Sequence, residues 1–423
     1  MHFYVSSPLI LLLATLSAAH AGQNKFKFLA YSPQFANSHV NFMGKISDAL
    51  VDAGHDVIPQ PPSGAKIAAF MDRTQRGLWT TQSGWDMIKV ICRTTRDGME
   101  LWARTCDEII SNTALIDNLR AQKYDVAYAE PMDFCAFAMM MGSSGDVMTF
   151  YQRMSNFISV AIFGMFGRTR FAALQPMLEA RHPGFPLITD VAANASLVFL
   201  NSEPLVDFPR VTSHRIVEVG GIVVTGDHGV LNKIPSHNVS GGVPNIIETT
   251  WVPQVDMLYD PRLTAFITHC GQGSTTEANL AGVPLLVTPI GADQLRNAQQ
   301  VKRNGVGIFL DKTLLASPGP LETALRELLD NHGHYQGKAR QLAAIIKDRP
   351  LKMKEVFVWN MEFLVKYGPL RQLDHAGRHL NFFQFYGIDV VAFLALVYES
   401  EVGLPSTTGG SKSPQKYSIR CHS

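Results

Sequence analysis

Between Phe266 and Gln300 the chain reads FITHCGQGSTTEANLAGVPLLVTPIGADQLRNAQQ. An apolar run ends at His269, and Gly271, Gly273 and Ser274 follow it. A second apolar run ends at Asp293 and Gln294. These residue types suit a phosphorylated sugar. Ser274 is expected to open a helix, whose first N–H groups lack carbonyl partners and whose dipole is positive at that end, so the turn can receive a diphosphate. Glycines in the turn let backbone approach phosphate oxygens closely. A carboxylate beside an amide, as in Asp293-Gln294, can bind the hydroxyls of a sugar. Ser274 with Glu277 three residues on is also a capping box, and for that pair alone capping is the stronger reading. Capping does not explain Asp293 and Gln294.

For these groups to meet, both apolar runs must be parallel strands with the ligand beyond their carboxyl ends. The rest of the chain supports that arrangement. Phe26 to Pro33 reads as a buried strand running into a polar loop. A helix follows, with Met43, Ile46, Leu50 and Val51 on one face and Gly54 as its stop, and then the strand HDVIP. QKYDVAYAEPMDF and SLVFLNSEP each contain a further strand. From Trp251 the alternation resumes: AFITH, a helix over STTEANLA closed by Gly282, VPLLVTPI, a helix over QLRNAQQVKRN closed by Gly305, and VGIFL. Strands alternating with helices predict an α/β fold with parallel sheets covered on both faces. Two such series, separated by a Gly-rich connector near SHNVSGGVP, predict two doubly wound, Rossmann-like domains.

Composition narrows the function. The chain has 423 residues, 46% hydrophobic and 17% charged, which is the balance of a globular protein. A formal net charge of +1 gives no electrostatic argument for nucleic acid, and none is expected as a partner. The five cysteines lack metal-ligand spacing, so no metal site is expected. Cys92 and Cys106 read equally as one bridge or as two buried thiols. No GxGxxG follows the first strand, which disfavours a nicotinamide enzyme. Residues 1–21, with an apolar core from Leu9 to Leu16 and small residues at Ala19 and Ala21, read as a secretory signal. Acceptor patterns for N-glycosylation at Asn194 and Asn238 fit a lumenal route. Near the C-terminus the uninterrupted apolar run is only Val390 to Tyr398, bracketed by Asp389 and Glu399. A bilayer span takes about 20 residues, so this run is expected not to cross. Association with the membrane surface through Phe382, Phe383 and Phe385 is the expectation instead. From Gly403 the tail is polar and expected to be disordered.

The residues also carry a resemblance. WVPQ (Trp251 to Gln254), THCGQGSTTE (Thr268 to Glu277), GVP and DQ...NA (Asp293 to Ala298) resemble, in order and spacing, the signature of the UDP-glycosyltransferases, specifically the animal UDP-glucuronosyltransferase branch. SLVFLNSEP with VEVGGI is similar to the end of that family's acceptor domain. The resemblance runs from Phe26 to about Phe393. It implies a GT-B type fold, two Rossmann-like domains facing a cleft: an acceptor domain over 22–210, a UDP-sugar domain over 211–370, and a C-terminal helix and tail over 371–423. It implies that Trp251 stacks on uracil, and that Gln254 and Glu277 hold the ribose. His269 and Ser274, with Gly271 in the turn, would hold the diphosphate, and Asp293 and Gln294 the sugar. His39, just after the first strand, would be the base that deprotonates the acceptor, oriented by Glu130 at the end of a later strand. Asp133 is the fallback orienting residue, and Asp125 reads as a surface residue. No cofactor is implied. The donor is a UDP-sugar, UDP-glucuronate first, the acceptor a small lipophilic molecule, and a homo-oligomer is a further partner to consider. The expected location is the endoplasmic reticulum lumen.

Three departures from the family are visible. Cys270 stands where the family usually has Gly, and its side chain is expected to crowd the diphosphate loop. Only Ile222 to Thr250 fill an interval in which the family has strand, turn, helix and strand, so the second domain is expected to be internally shortened with an open sheet edge. A similar shortfall follows Cys135. The alternative to an active transferase is therefore a shortened member that only binds nucleotide or a partner.

Overall fold

The structure, a computed structural model, describes residues 25–32, 37–60, 111–130, 174–210, 212–222, 246–249, 251–291 and 293–402, with single positions between 97 and 109, around 150 and at 224. The signal segment, the SHNVSGGVP connector, Asn238, Cys92, Cys135 and Asp133 lie outside the described residues. The chain divides into two compact units at Arg371.

The first sheet is parallel. β1 (Lys27–Tyr31) lies between β2 (Asp56–Gln60) and β3 (Val126–Ala129). Between β1 and β2 runs α1 (Asn37–Asp52). Met43, Ile46, Ala49 and Leu50 are buried, whereas Val51, expected on the same face, is half exposed. Each helical step turns about 100°, so the residue after Leu50 leaves the stripe that Met43 and Ile46 define. α2 (Thr113–Gln122) begins at Asn112, whose side chain accepts from the N–H of Leu115 at 3.0 Å, and buries Ile116 and Leu119. Asp125 is tied to the sheet rather than loose on the surface: its carboxylate accepts from the N–H of Lys27 at 2.8 Å.

A two-stranded parallel pair follows. α3 (Ile188–Ala193) precedes β4 (Val198–Leu200), which pairs with β5 (Ile216–Glu218). β5 was not among the expected strands. Its three residues are too few to show a period.

The second series gives the third sheet. α4 (Gln254–Tyr259) is followed by β6 (Phe266–Thr268), α5 (Gln272–Ala281), β7 (Leu285–Val287), α6 (Gln294–Asn304) and β8 (Gly307–Phe309). All pairings are parallel, in the order β6-β7-β8. β7 is wholly buried because both faces are covered. Leu285 and Val287 enter a cluster with Cys270, Ala278, Ala298 and Val301, while Leu286 joins Leu310, Ala324 and Leu328 on the other face. Gly307 is required by proximity: a Cβ there would lie 2.0 Å from the carbonyl oxygen of Leu285. Among the described residues β6 is an edge strand, and Ile267 on it is half exposed.

α7 (Pro318–Asp330) and α8 (His332–Lys347) cover the third sheet. α9 (Met353–Tyr367) then returns to the first. Its Phe357 is fully buried, with ring centroids 6.3 Å from Tyr128 and 4.8 Å from Phe199. Lys354 pairs with Asp52 at 2.7 Å. Buried His55 accepts from the N–H of Phe26 at Nδ1, so its Nε2 carries the proton and donates to Glu362 at 2.9 Å.

The second unit, from Gln372, has a 3-10 turn at Ala376–His379 and then a one-turn helix, Phe382–Phe385, opened by a reciprocal Asn381–Gln384 capping box. α10 (Ile388–Val402) follows, with Val390, Val391, Phe393, Leu394 and Leu396 exposed. Among the described residues no helix is long and apolar enough to cross a membrane.

Candidate active site

The turn after β6 differs from expectation in an instructive way. α5 starts at Gln272, two residues before Ser274, with Gly271 at its N-cap and no side-chain cap. Its first intrahelical bond runs from the N–H of Thr275 to the carbonyl of Gly271 at 3.0 Å. The N–H groups of Gln272, Gly273 and Ser274 therefore precede that bond and lie at the positive end of the helix dipole. The capping-box reading of Ser274 and Glu277 falls with the new start. Three residues apart inside the helix, they share a face. Both bind the amide of Gln254, the first residue of α4: its Nε2 donates to Ser274 Oγ at 3.2 Å and to Glu277 Oε2 at 2.6 Å. Burial raises the Glu277 carboxyl, and the Gln254 hydrogen bond only partly opposes it. Three residues upstream, Trp251 leaves most of its indole in solvent, 69% exposed.

His269 lies across Gly271, where a Cβ would come within 2.7 Å of its Nε2. Any larger residue at 271 displaces the ring. The imidazole keeps a solvent-exposed edge, yet the protein around it lowers its pKa by desolvation, and the Asp293 carboxylate acts in the opposite sense.

Cys270 does not crowd the loop as expected. Its backbone takes φ +68°, a left-handed conformation, and the side chain is fully buried. Sγ lies 3.4 Å from Thr275 Oγ1, inside the cluster that includes Ala278 and Val287. Burial pushes the thiol up to about 12. The positive φ turns the side chain into the core and leaves backbone at the loop surface.

Asn297, to which the sequence reading assigned no role, joins the two strand ends. Its Nδ2 donates to the carbonyl of Cys270 at 3.0 Å and to Asp293 Oδ2 at 2.9 Å. The available signal was its place one turn after Asp293 on α6. Gln294 uses its side-chain oxygen within the loop, accepting from the N–H groups of Ile290 at 2.8 Å and Gly291 at 3.2 Å. Its amide NH2 is the group left to meet a ligand.

A second group forms at the first sheet. His39 sits in the first turn of α1 and Glu130 immediately after β3, on either side of the end of β1. His39 Nδ1 and Glu130 Oε1 are in hydrogen-bonding contact. Both side chains are largely buried, and Glu130 Oε2 is buried without a hydrogen-bond partner. Among the described residues no three His, Cys, Asp or Glu side chains gather closely enough to hold a metal ion.

Parallel sheets, with a polar helix start beyond one strand and a His–carboxylate pair beyond another, make an α/β fold of the GT-B type. The solved structure of the glycosyltransferase SnogD from Streptomyces nogalater has this fold, with a TM-score of 0.50 and 15% identity over 80% of this chain and 99% of that one. The amino-acid sequence has relatives of the same kind. Residues 241–407 match the model of "UDP-glucoronosyl and UDP-glucosyl transferase". Human UDP-glucuronosyltransferase 1A3 is 25% identical over 70% of this chain and 71% of its own. The protein ugt-48 of Caenorhabditis elegans is 23% identical over 505 aligned positions, spanning 92% of this chain and 95% of the relative. That alignment is longer than the 423-residue chain, so it opens gaps within it. The chain is thus similar to UDP-glucuronosyltransferases over most of its length, and the family match itself falls on residues 241–407.

Proposed function

We propose that the chain transfers a glycosyl group, with glucuronosyl the first candidate, from a UDP-sugar to a small lipophilic acceptor. The observation that carries this reading is the hydrogen-bonded cluster of Gln254, Ser274 and Glu277 at the start of α5. A carboxylate and an amide held side by side suit the ribose hydroxyls. The N–H groups of Gln272 to Ser274 suit the diphosphate beside them. The exposed indole of Trp251 offers a flat face for uracil. Asp293 and the amide NH2 of Gln294, beyond the neighbouring strand, are the groups for the sugar.

In this reading His39 is the base. The Glu130 carboxylate accepts a hydrogen bond from Nδ1–H, so in the neutral ring the basic nitrogen is Nε2. Nε2 takes the proton of the acceptor hydroxyl as its oxygen bonds to the anomeric carbon. The bond from that carbon to UDP breaks, and UDP leaves with the electron pair. Attack opposite the leaving group inverts the anomeric centre. The test is His39→Ala in the full chain: transfer to a phenol is lost while UDP binding, measured by calorimetry, is kept. Turnover near the parent rate would remove His39 from the mechanism.

A second reading is favoured by the edge position of β6 and by the gaps that ugt-48 opens in this chain. In it the protein binds UDP but does not turn over. Parent chain that binds UDP and transfers nothing to a panel of phenols would select it. The signal-like pattern of residues 1–21 supports a route through the secretory pathway, and the exposed aromatics Phe382, Phe383 and Phe385 suit a membrane surface. Carbonate extraction of microsomes should then release the chain.

A further inference from the structure

Asp207 lies in the segment Ser202 to Arg210 that follows β4, some ninety residues before α6, and it is buried. Its Oδ2 accepts from Ser202 Oγ at 2.6 Å and from Arg210 at 2.8 Å. Its Oδ1 accepts from the N–H of Phe208 at 2.7 Å, from Gln300 Nε2 at 2.6 Å and from Arg296. The backbone joins in. Arg303 donates to the carbonyl of Asp207 at 3.3 Å, and Asn304 to that of Val206 at 3.0 Å. The guanidinium groups of Arg296 and Arg303 also stand 5.5 and 5.3 Å from the centre of the Phe208 ring.

Arg296, Gln300, Arg303 and Asn304 are spaced as one stripe of α6. The far side of that helix supplies Ala298 and Val301 to the core, and Asn297, beside the stripe, reaches the strand ends. The same helix begins with the two residues assigned to the donor sugar. One stripe of α6 is thus gripped by the segment after β4, and its first turn faces the ligand in the reading above. Burial by itself would raise the Asp207 carboxyl, but Ser202, Arg296 and Arg210 override it and hold it below the ordinary value, so the grip is an ionic one. A buried carboxylate with this many donors fixes geometry strongly, because loss of any partner leaves charge uncompensated.

We propose that Asp207 is a positioning residue for the donor sugar: through Arg296 and Gln300 it sets where α6 begins, and so where Asp293 and Gln294 meet the ligand. It touches no substrate. Uracil, ribose and diphosphate are met by Trp251, α4 and α5 instead, so Asp207 should govern the sugar and leave the nucleotide alone.

This inference rests on the donor reading, and calorimetry of the full chain with UDP and with UDP-glucuronate separates the two. Parent chain that binds neither ligand refutes the donor reading and this inference together. Where the parent binds both, Asp207→Asn is expected to weaken UDP-glucuronate about tenfold relative to UDP, with UDP affinity unchanged. Arg296→Met keeps the apolar stem of the side chain and should fold more readily; it is expected to shift the ratio in the same direction. The double variant should lose no more than the larger single loss, as for two members of one contact. Equal losses for both ligands, or an unchanged ratio in both single variants, would overturn the proposal and leave Asp207 a purely structural tie.

Discussion

Cys270 offers the sharpest test of how the loop after β6 is built. Its φ of +68° is a conformation that costs a residue with a Cβ about 1–2 kcal/mol. Glycine would release that strain. Against it stand two losses on going from Ala to Gly: about 0.5–1 kcal/mol of extra unfolded-chain entropy and about 0.8 kcal/mol for one buried methyl group. These oppose each other almost evenly. Cys270→Gly and Cys270→Ala should therefore have urea midpoints that differ by no more than about 0.8 kcal/mol in stability. Ala278, fully buried in the middle of α5, is the control, because its helical backbone has no such strain to release. There the change to glycine should cost roughly 1.5 kcal/mol. Should Cys270→Gly fall below Cys270→Ala by as much as Ala278→Gly falls below the parent, the left-handed backbone is not costing what the argument requires. Neither Cys270 variant should alter UDP affinity, since Sγ lies in the core. A loss of affinity in Cys270→Ala would return the sulfur to the loop surface.

Trp251→Ala should weaken UDP binding by up to about 100-fold, the worth of stacking a base on an aromatic face, and unchanged calorimetric affinity would leave the indole merely exposed. Glu277→Gln should separate stability from binding. Burial raises the Glu277 carboxyl above its ordinary 4.5, so its charge costs stability once pH rises past that value. The neutral amide should thus raise Tm near neutral pH, lose that gain under more acid conditions, and weaken UDP. Asp207 has the opposite sign. Its carboxyl is held below the ordinary 3.8, so its contribution is full above that value and is lost as pH falls through the lower, folded-state value. Asp207→Asn should flatten the fall in urea midpoint between about pH 5 and about pH 2, and a parent-like slope would contradict the ionic tie.

The two βα series could be read directly because period and stop signals agree there. Met43, Ile46 and Leu50 mark one helical stripe, and Gly54, Gly282 and Gly305 end helices with positive φ. The sheet partners of β7 were equally legible, since a run apolar on both faces must be covered on both. The start of α5 was not. Gly271-Gln272-Gly273 has the composition of a loop, yet the free N–H groups and the packing of Thr275 and Ala278 carry the helix through it. That two-residue difference turned a capping box into a site contact. Long-range ties were invisible for another reason. Gln254 meets Glu277, and Asp207 meets Gln300, only after the chain has folded back, and neither pair leaves a periodic trace. Asn297 was within reach, being one turn from Asp293, but nothing in the sequence says which carbonyl its amide will find.

The return of α9 to the first sheet has a consequence for how the protein is made. The contacts of Asp52 with Lys354 and of His55 with Glu362 join residues separated by 302 and 307 positions. At about 5–20 residues per second, a ribosome needs roughly 15–60 s between the two ends of such a contact. During that interval the faces of Tyr128 and Phe199 that Phe357 will cover have no helix against them. The apolar surface that Phe357 covers is therefore open until translation passes that residue, and a ribosome stalled before its codon would hold that surface uncovered.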